Sequence, residues 1–169
     1  MSYIMNLVIN ASDAIPATRT EKELEIATFE TTIRGGTETI LLVDDEESIR
    51  ELGEELLDSF GYKVITASNG KEALEIYRVE KERILLILLD LIMPVMDGKK
   101  CLEEILQIES NAKVIIASGY SEHGPANGVM AAGAKGFVQK PYNMRQLFTM
   151  IREILDNDLP CPVNSGDGR

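Results

Sequence analysis

No stretch of this 169-residue chain is long and apolar enough to cross a bilayer. The longest apolar run, Ile84–Leu89, falls far short of the roughly 18–20 residues a spanning helix needs. Export is not signalled either, since no basic region precedes the apolar residues of Met1–Asn10, and a cytoplasmic location is expected. Cysteine is scarce: Cys101 lies in a predicted helix and Cys161 in the tail, which suits free thiols rather than a disulfide framework. Basic residues are the minority, 17 against 28 acidic, and the net charge of −11 repels phosphate backbones, so no nucleic-acid partner is expected. Most of this charge serves solubility, but a few carboxylates could form a cation site. Histidine occurs once, as His123 in the predicted loop SEHGPANG, and reads as a solvated loop residue. There is no internal repeat.

What is present is an alternation of strand and helix, five times over, from Thr39 onward. Ile40–Val43 is a short apolar strand ending in Asp44-Asp45. Ile49, Leu52, Leu56 and Phe60 follow at helical spacing, stopped by Gly61. Lys63–Thr66 is a second strand, and a helix over Gly70–Val79 turns Ala73, Leu74 and Tyr77 inward. Ile84–Leu89, apolar without alternation, reads as a central parallel strand buried on both faces and ends on Asp90. Asp97-Gly98 makes the turn into a helix carrying Leu102, Ile105, Leu106 and Ile108. Val114–Ala117 is a strand ending on Ser118. A Gly-rich helix is expected over about Glu122–Ala132, then a strand over Lys135–Gln139. Asn143 and Gln146 form the capping signal of a last helix, whose stripe is Leu147, Met150, Ile151, Ile154 and Leu155.

Five βα units in succession imply a parallel sheet with helices on both faces, a three-layer α/β sandwich. The flavodoxin-like, doubly wound strand order 2-1-3-4-5 suits this size, with the functional crevice at the carboxyl ends of the strands. Asp44 and Asp45, Asp90, Ser118 and Lys140 end strands one, three, four and five. Singly each has an ordinary reading: carboxylates at a helix start, a turn serine, a loop lysine. Together they form a chemically coherent set. Three gathered carboxylates stay ionised only beside a cation, and hard oxygen ligands suit Mg²⁺. With an ammonium and a hydroxyl they meet the needs of phosphoryl transfer, namely in-line positioning and charge neutralisation. Asp90, at the end of the most buried strand, is the best nucleophile.

The stretches ILLVDDEESIR at 40–50, LLDLIMPVMDGKK at 88–100, VIIASGY at 114–120 and GAKGFVQKPY at 133–142 occur in order and with suitable spacing. Through them the chain resembles the response-regulator receiver family over residues 38–157. The resemblance implies that Asp90 accepts the phosphoryl group and ligates Mg²⁺ (or Mn²⁺). It gives Asp45 direct metal contact, Asp44 contact mainly through water, and the backbone carbonyl of Ile92 the last protein ligand. Ser118 and Lys140 would bind phosphoryl oxygens, with a cis Lys140–Pro141 bond, and Phe137 would be the switch aromatic on the helix 4–strand 5–helix 5 face. Ile92 and Tyr120 would flank the hydrolytic water and, being bulky, slow the loss of phosphate. The implied partners are a histidine kinase or a histidine phosphotransfer protein.

Residues 1–37 do not belong to a receiver. Ile4, Leu7, Val8, Ala11 and Ile15 share one helical face, Glu23–Thr32 reads as a strand, and Arg34–Thr37 as a linker. MNLVINASDAIP resembles the asparagine box of histidine-kinase ATP-binding domains through Asn6 and Asn10, Asn10 matching the Mg²⁺-ligating side chain. The Asp-x-Gly-x-Gly loop, a Gly-rich ATP lid and an acceptor-histidine box are absent, so no ATP binding is expected. A homodimer could form through this segment or through the helix 4–strand 5–helix 5 face. Residues 158–169 read as a frayed tail. Two rivals stand beside the receiver reading: a working hybrid histidine kinase, and a receiver fold that serves only as a structural interaction domain.

Overall fold

The computed structural model describes residues 33–119 and 125–157. The expected helix and strand within residues 1–32, Asn6 and Asn10, Tyr120, His123 and the tail with Cys161 lie outside the described residues. The elements are β1 Thr39–Val43, α1 Glu47–Ser59, β2 Lys63–Ala67, α2 Gly70–Glu80, β3 Ile84–Asp90, α3 Gly98–Ile108, β4 Val114–Ser118, α4 Pro125–Ala131, β5 Gly136–Gln139 and α5 Met144–Asp156. All strand pairs are parallel, in the order β2-β1-β3-β4-β5. This is the flavodoxin-like α/β fold expected from the alternation.

Period-two alternation along the strands divides the core. Leu41, Val43, Ile87, Leu89, Val114 and Ile116 face α2 and α3, meeting Ala73, Leu74, Tyr77, Leu102 and Ile105. Ile40, Leu42, Leu86, Leu88, Ile115 and Val138 face α1 and α5, meeting Leu57, Leu147, Phe148 and Ile151. β3 is buried on both faces save for Leu85, 48% exposed, where the register with β1 slips by one residue.

Two helix faces differ from the sequence pattern. Leu52 of α1 points outward, and Gly53 and Leu57 are the buried positions. A Cβ on Gly53 would come within 2.7 Å of Leu42 Cδ2, so a larger side chain there requires the end of the buried Leu42 side chain to shift. An apolar tally passes over such a glycine. In α5 the largest buried side chain is Phe148, whose ring lies 4.1 Å from that of Phe60, while Met150 and Ile154 are only partly buried.

The boundary at residue 38 also shifts. Ile33 onward belongs to the compact unit that holds the sheet. Residues 34–37, expected as a linker, are docked: Gly36 N donates to Phe60 O at 3.1 Å, and Arg34 pairs with Asp156 at 3.2 Å. A Cβ on Gly35 would lie 1.9 Å from Phe60 O, so glycine there permits backbone-to-backbone contact rather than flexibility. Beneath the connector, Arg152 makes bidentate contact with Glu38 at 2.9 Å, reaches Tyr62 Oη at 3.3 Å and pairs with Asp156.

Candidate functional site

Parallel register decides which strand ends meet. Val43 pairs with Leu89, so the next residues, Asp44 and Asp90, emerge side by side. Asp90 pairs with Ala117, one residue before Ser118, and Ser118 pairs with Gln139, one residue before Lys140. Asp44 and Asp90 continue the alternation of Leu42 and Leu88, which places them on the α1/α5 side.

Carboxylate oxygens of Asp44, Asp45 and Asp90 lie within 4.8 Å of one another. Asp44 is 1% exposed and Asp90 8%, while Asp45 stands in the open. Lys140 Nζ sits 2.5 Å from Asp44 Oδ2 and 2.9 Å from Asp90 Oδ2. Asp44 Oδ1 accepts from Glu46 N at 3.1 Å, and Asp90 Oδ1 from Ile92 N at 3.3 Å. Burial holds the Asp90 carboxyl above its ordinary value, with Lys140 opposing and Asp44 adding to the rise. Burial alone would lower the Lys140 ammonium, but hydrogen bonds to Asp44 and Asp90 carry it above its ordinary value. One ammonium against three carboxylates leaves an excess of negative charge, and the donors are hard oxygens. The residues present therefore fit a divalent cation such as Mg²⁺.

The turn after β3 is closed by backbone contacts. Leu91 N donates to Ala117 O, and Gly98 N to Leu91 O, both at 2.9 Å. A Cβ on Gly98 would lie 2.2 Å from Asp90 O, so only glycine lets α3 start this close to the strand end. Asp97 caps α3, accepting from Lys100 N at 2.9 Å. Between them Met96 N donates to Pro94 O at 2.8 Å across Val95, which has φ +70°. This is the strained form of the γ-turn.

The structure thus gathers Asp44, Asp45, Asp90 and Lys140. Ser118 is fully buried at the end of β4, where its carbonyl accepts from Lys140 N at 2.8 Å, and the Lys140–Pro141 bond is cis. Ile92 follows Asp90 at one remove and is 54% exposed. Phe137 does not join them: it packs, partly buried, on the α2/α3 side of the sheet.

Two residues beside the site escape a reading of the sequence. Arg50 Nη1 donates to the carbonyl of Asp44 at 2.7 Å, holding the β1–α1 turn from one turn into the helix. Tyr142, just past Lys140-Pro141, buries its hydroxyl without a hydrogen-bond partner, and burial pushes the phenol up to about 12. Its place directly after the Lys-Pro pair is the available signal.

The family model described as response regulator receiver domain matches residues 40–152. The sensor kinase CckA of Brucella abortus is 37% identical over 145 residues, covering 86% of this chain and 15% of the kinase. Sporulation initiation phosphotransferase F of Bacillus subtilis is 37% identical over 127 residues, 75% of this chain and 98% of that protein. Among solved structures, the CheX–CheY–BeF3–Mg²⁺ complex from Borrelia burgdorferi matches with a TM-score of 0.64 at 30% identity, covering 75% of this chain and 92% of that one.

Proposed function

The chain belongs to the response regulator receiver domain family, which works in two-component phosphorelay signalling, and we propose that Asp90 is its phosphoryl acceptor. An Asp90 oxygen attacks the phosphorus of a phosphohistidine donor. The P–N bond breaks as the P–O bond forms, the imidazole leaves with the bonding pair, and Asp90 becomes an acyl phosphate. Asp44, Asp45, Asp90 and the Ile92 carbonyl would hold Mg²⁺, which supplies positive charge against the equatorial oxygens. The similar assembly from Borrelia burgdorferi is a complex with BeF3 and Mg²⁺, which supports this choice of metal. Ser118 donates its hydroxyl to one phosphoryl oxygen and Lys140 pairs with another. The donor is a histidine kinase or a histidine phosphotransfer protein, and on this reading the reaction takes place in the cytoplasm.

The observation that carries the reading is the meeting of three carboxylates within 4.8 Å, two of them against the Lys140 ammonium. Phosphorylation adds about −1.5 to −2 charges beside Ser118. Movement of Ser118 toward them frees space for Phe137 to turn inward and reshapes the α4–β5–α5 face, where output is read. Ile92, bulky and two residues past the acceptor, favours slow loss of phosphate.

Residues 1–37 are read as part of a kinase ATP-binding segment. The 145-residue alignment with the sensor kinase is longer than residues 38–169, so it takes in part of that segment. The chain spans only 15% of that kinase's length, and kinase activity is not assigned to it.

The test is exposure to acetyl phosphate or beryllofluoride with and without Mg²⁺. A Mg²⁺-dependent conformational change, lost in Asp90→Asn, is expected. No change in the wild type, or the same change in Asp90→Asn, ends the proposal. Autophosphorylation with labelled ATP would instead restore the kinase reading.

A further inference from the structure

Two of the three gathered carboxylates are fastened through their own oxygens. Asp44 accepts from Glu46 N and pairs with Lys140, while Asp90 accepts from Ile92 N and pairs with the same ammonium. Asp45 differs. It is exposed, and among the described residues its carboxylate has neither a hydrogen bond nor an ion pair. Yet its carboxylate comes within 4.8 Å of the other two. Its place is therefore set by the backbone of the β1–α1 turn, which fixes the direction in which the side chain leaves the chain.

A peptide unit is planar, so a contact that holds the carbonyl of Asp44 also fixes the amide of Asp45. That carbonyl accepts from Arg50 Nη1 at 2.7 Å, the length of a strong, charge-assisted hydrogen bond. The start of α1 does not use it: the amides of Ile49 and Arg50 both donate to Glu46 O, at 3.1 Å. Before the turn, Asp44 N donates to Ala67 O at 3.1 Å. The half-buried Arg50 thus reaches back from the helix to close the far side of the peptide that leads into Asp45.

We propose that Arg50 is a positioning residue of the metal site, clamping the Asp44–Asp45 peptide so that the Asp45 carboxylate is already aimed at the cation. The inference deepens the reading of the site given above and rests on Asp45 being a metal ligand. A turn held in its binding form does not have to be ordered when the cation arrives, and affinity rises accordingly. Arg50 touches neither the cation nor the phosphoryl group; it acts through Asp45.

NMR titration of the full chain with Mg²⁺ tests this, comparing wild type, Arg50→Met, Arg50→Lys and Gly35→Ala. Arg50→Met should bind Mg²⁺ roughly 10-fold more weakly, as for loss of a group that orients a metal ligand. Arg50→Lys, whose ammonium can still donate to the carbonyl, should recover part of that loss. Gly35→Ala, in the connector, controls for a general loss of stability and should bind as the wild type does. Without metal, the backbone order parameters of Asp45 and Glu46 should fall in Arg50→Met, while those of Leu91 and Ile92 stay at wild-type values. If Arg50→Met does not fold, Arg50→Lys carries the test, with an intermediate loss expected. Unchanged Mg²⁺ affinity overturns the proposal, and so does a loss that Gly35→Ala matches, which marks a purely structural contact. If the wild type binds no Mg²⁺, or Asp45→Ala binds it equally well, the metal reading has failed instead, and this inference with it.

Discussion

The Lys140 ammonium pairs with Oδ2 of Asp44 at 2.5 Å, joining side chains 96 residues apart in sequence. Asp44 is almost wholly buried, and this ammonium is the counter-charge in direct contact with it. The same group reaches Asp90, which ties the resting charge balance of the site to its chemistry.

Replacing Lys140 by Met should therefore destabilise the metal-free protein strongly, by about 3 kcal/mol or more, because a buried charge loses its partner. Urea unfolding measures it, and Lys140→Met/Asp44→Asn should recover most of the loss. Added Mg²⁺ should narrow the deficit of the single variant. A deficit untouched by both treatments would mean that Lys140 supports packing rather than charge.

Asp90→Asn should raise the stability of the metal-free protein while abolishing phosphorylation. Burial holds the folded-state pKa of Asp90 above its unfolded value, so ionisation works against the fold. The penalty is absent below the unfolded value of about 3.9 and grows as pH rises through the folded value. The two proteins should thus differ in urea midpoint at pH 7 and converge near pH 3. A wild type more stable than the variant at pH 7 contradicts the sign.

Glu38→Gln carries the opposite sign. Burial raises the Glu38 carboxyl, but backbone amides and Arg152 outweigh it and hold it below the ordinary range. Its contribution is then present above the unfolded value of about 4.3 and lost as pH falls through the lower folded one. Melting curves should show Glu38→Gln less stable at pH 7, with the gap closing in acid. A gap independent of pH would leave the Arg152 pairing without electrostatic weight.

Gly35→Ala should loosen the connector, since its Cβ would fall 1.9 Å from Phe60 O. Relief requires backbone movement, at about 1–3 kcal/mol as for overpacked sites. Hydrogen exchange at the Gly36 amide, bonded to Phe60 O, should accelerate in the variant. Unchanged protection there would mean that the connector accommodates the methyl group.

Val95→Gly should stabilise the protein by about 1–2 kcal/mol, the usual strain of a non-glycine residue in the left-handed region. Val95 has φ +70° and is 83% exposed, so little packing is lost. A lower urea midpoint in Val95→Gly would show that the valine makes a contact worth more than its strain.

Much of the fold is legible in the residues alone. Ile84–Leu89 announces a doubly buried central strand because its apolar residues do not alternate, and Asn143 with Gln146 marks the start of α5, where the Asn143 side chain does accept from Gln146 N. Helical spacing misplaces Leu52 because it does not say that Gly53, with no side chain, occupies a buried position beside Leu42 of the sheet. Gly35-Gly36, within the expected linker Arg34–Thr37, misleads for the same reason: a glycine pair has one signature in sequence whether it frees the chain or lets two backbones touch.

The candidate site divides along the same line. Sequence by itself determined which residue types stand at the strand ends, because strand period and turn residues are local properties; Asp44, Asp45, Asp90, Ser118 and Lys140 could all be named from them. Tertiary structure alone decided how they bond, since charge balance depends on through-space distance and burial. It showed one ammonium shared by Asp44 and Asp90, Arg50 on the Asp44 carbonyl, the Tyr142 hydroxyl buried without a partner, and Phe137 on the other face of the sheet.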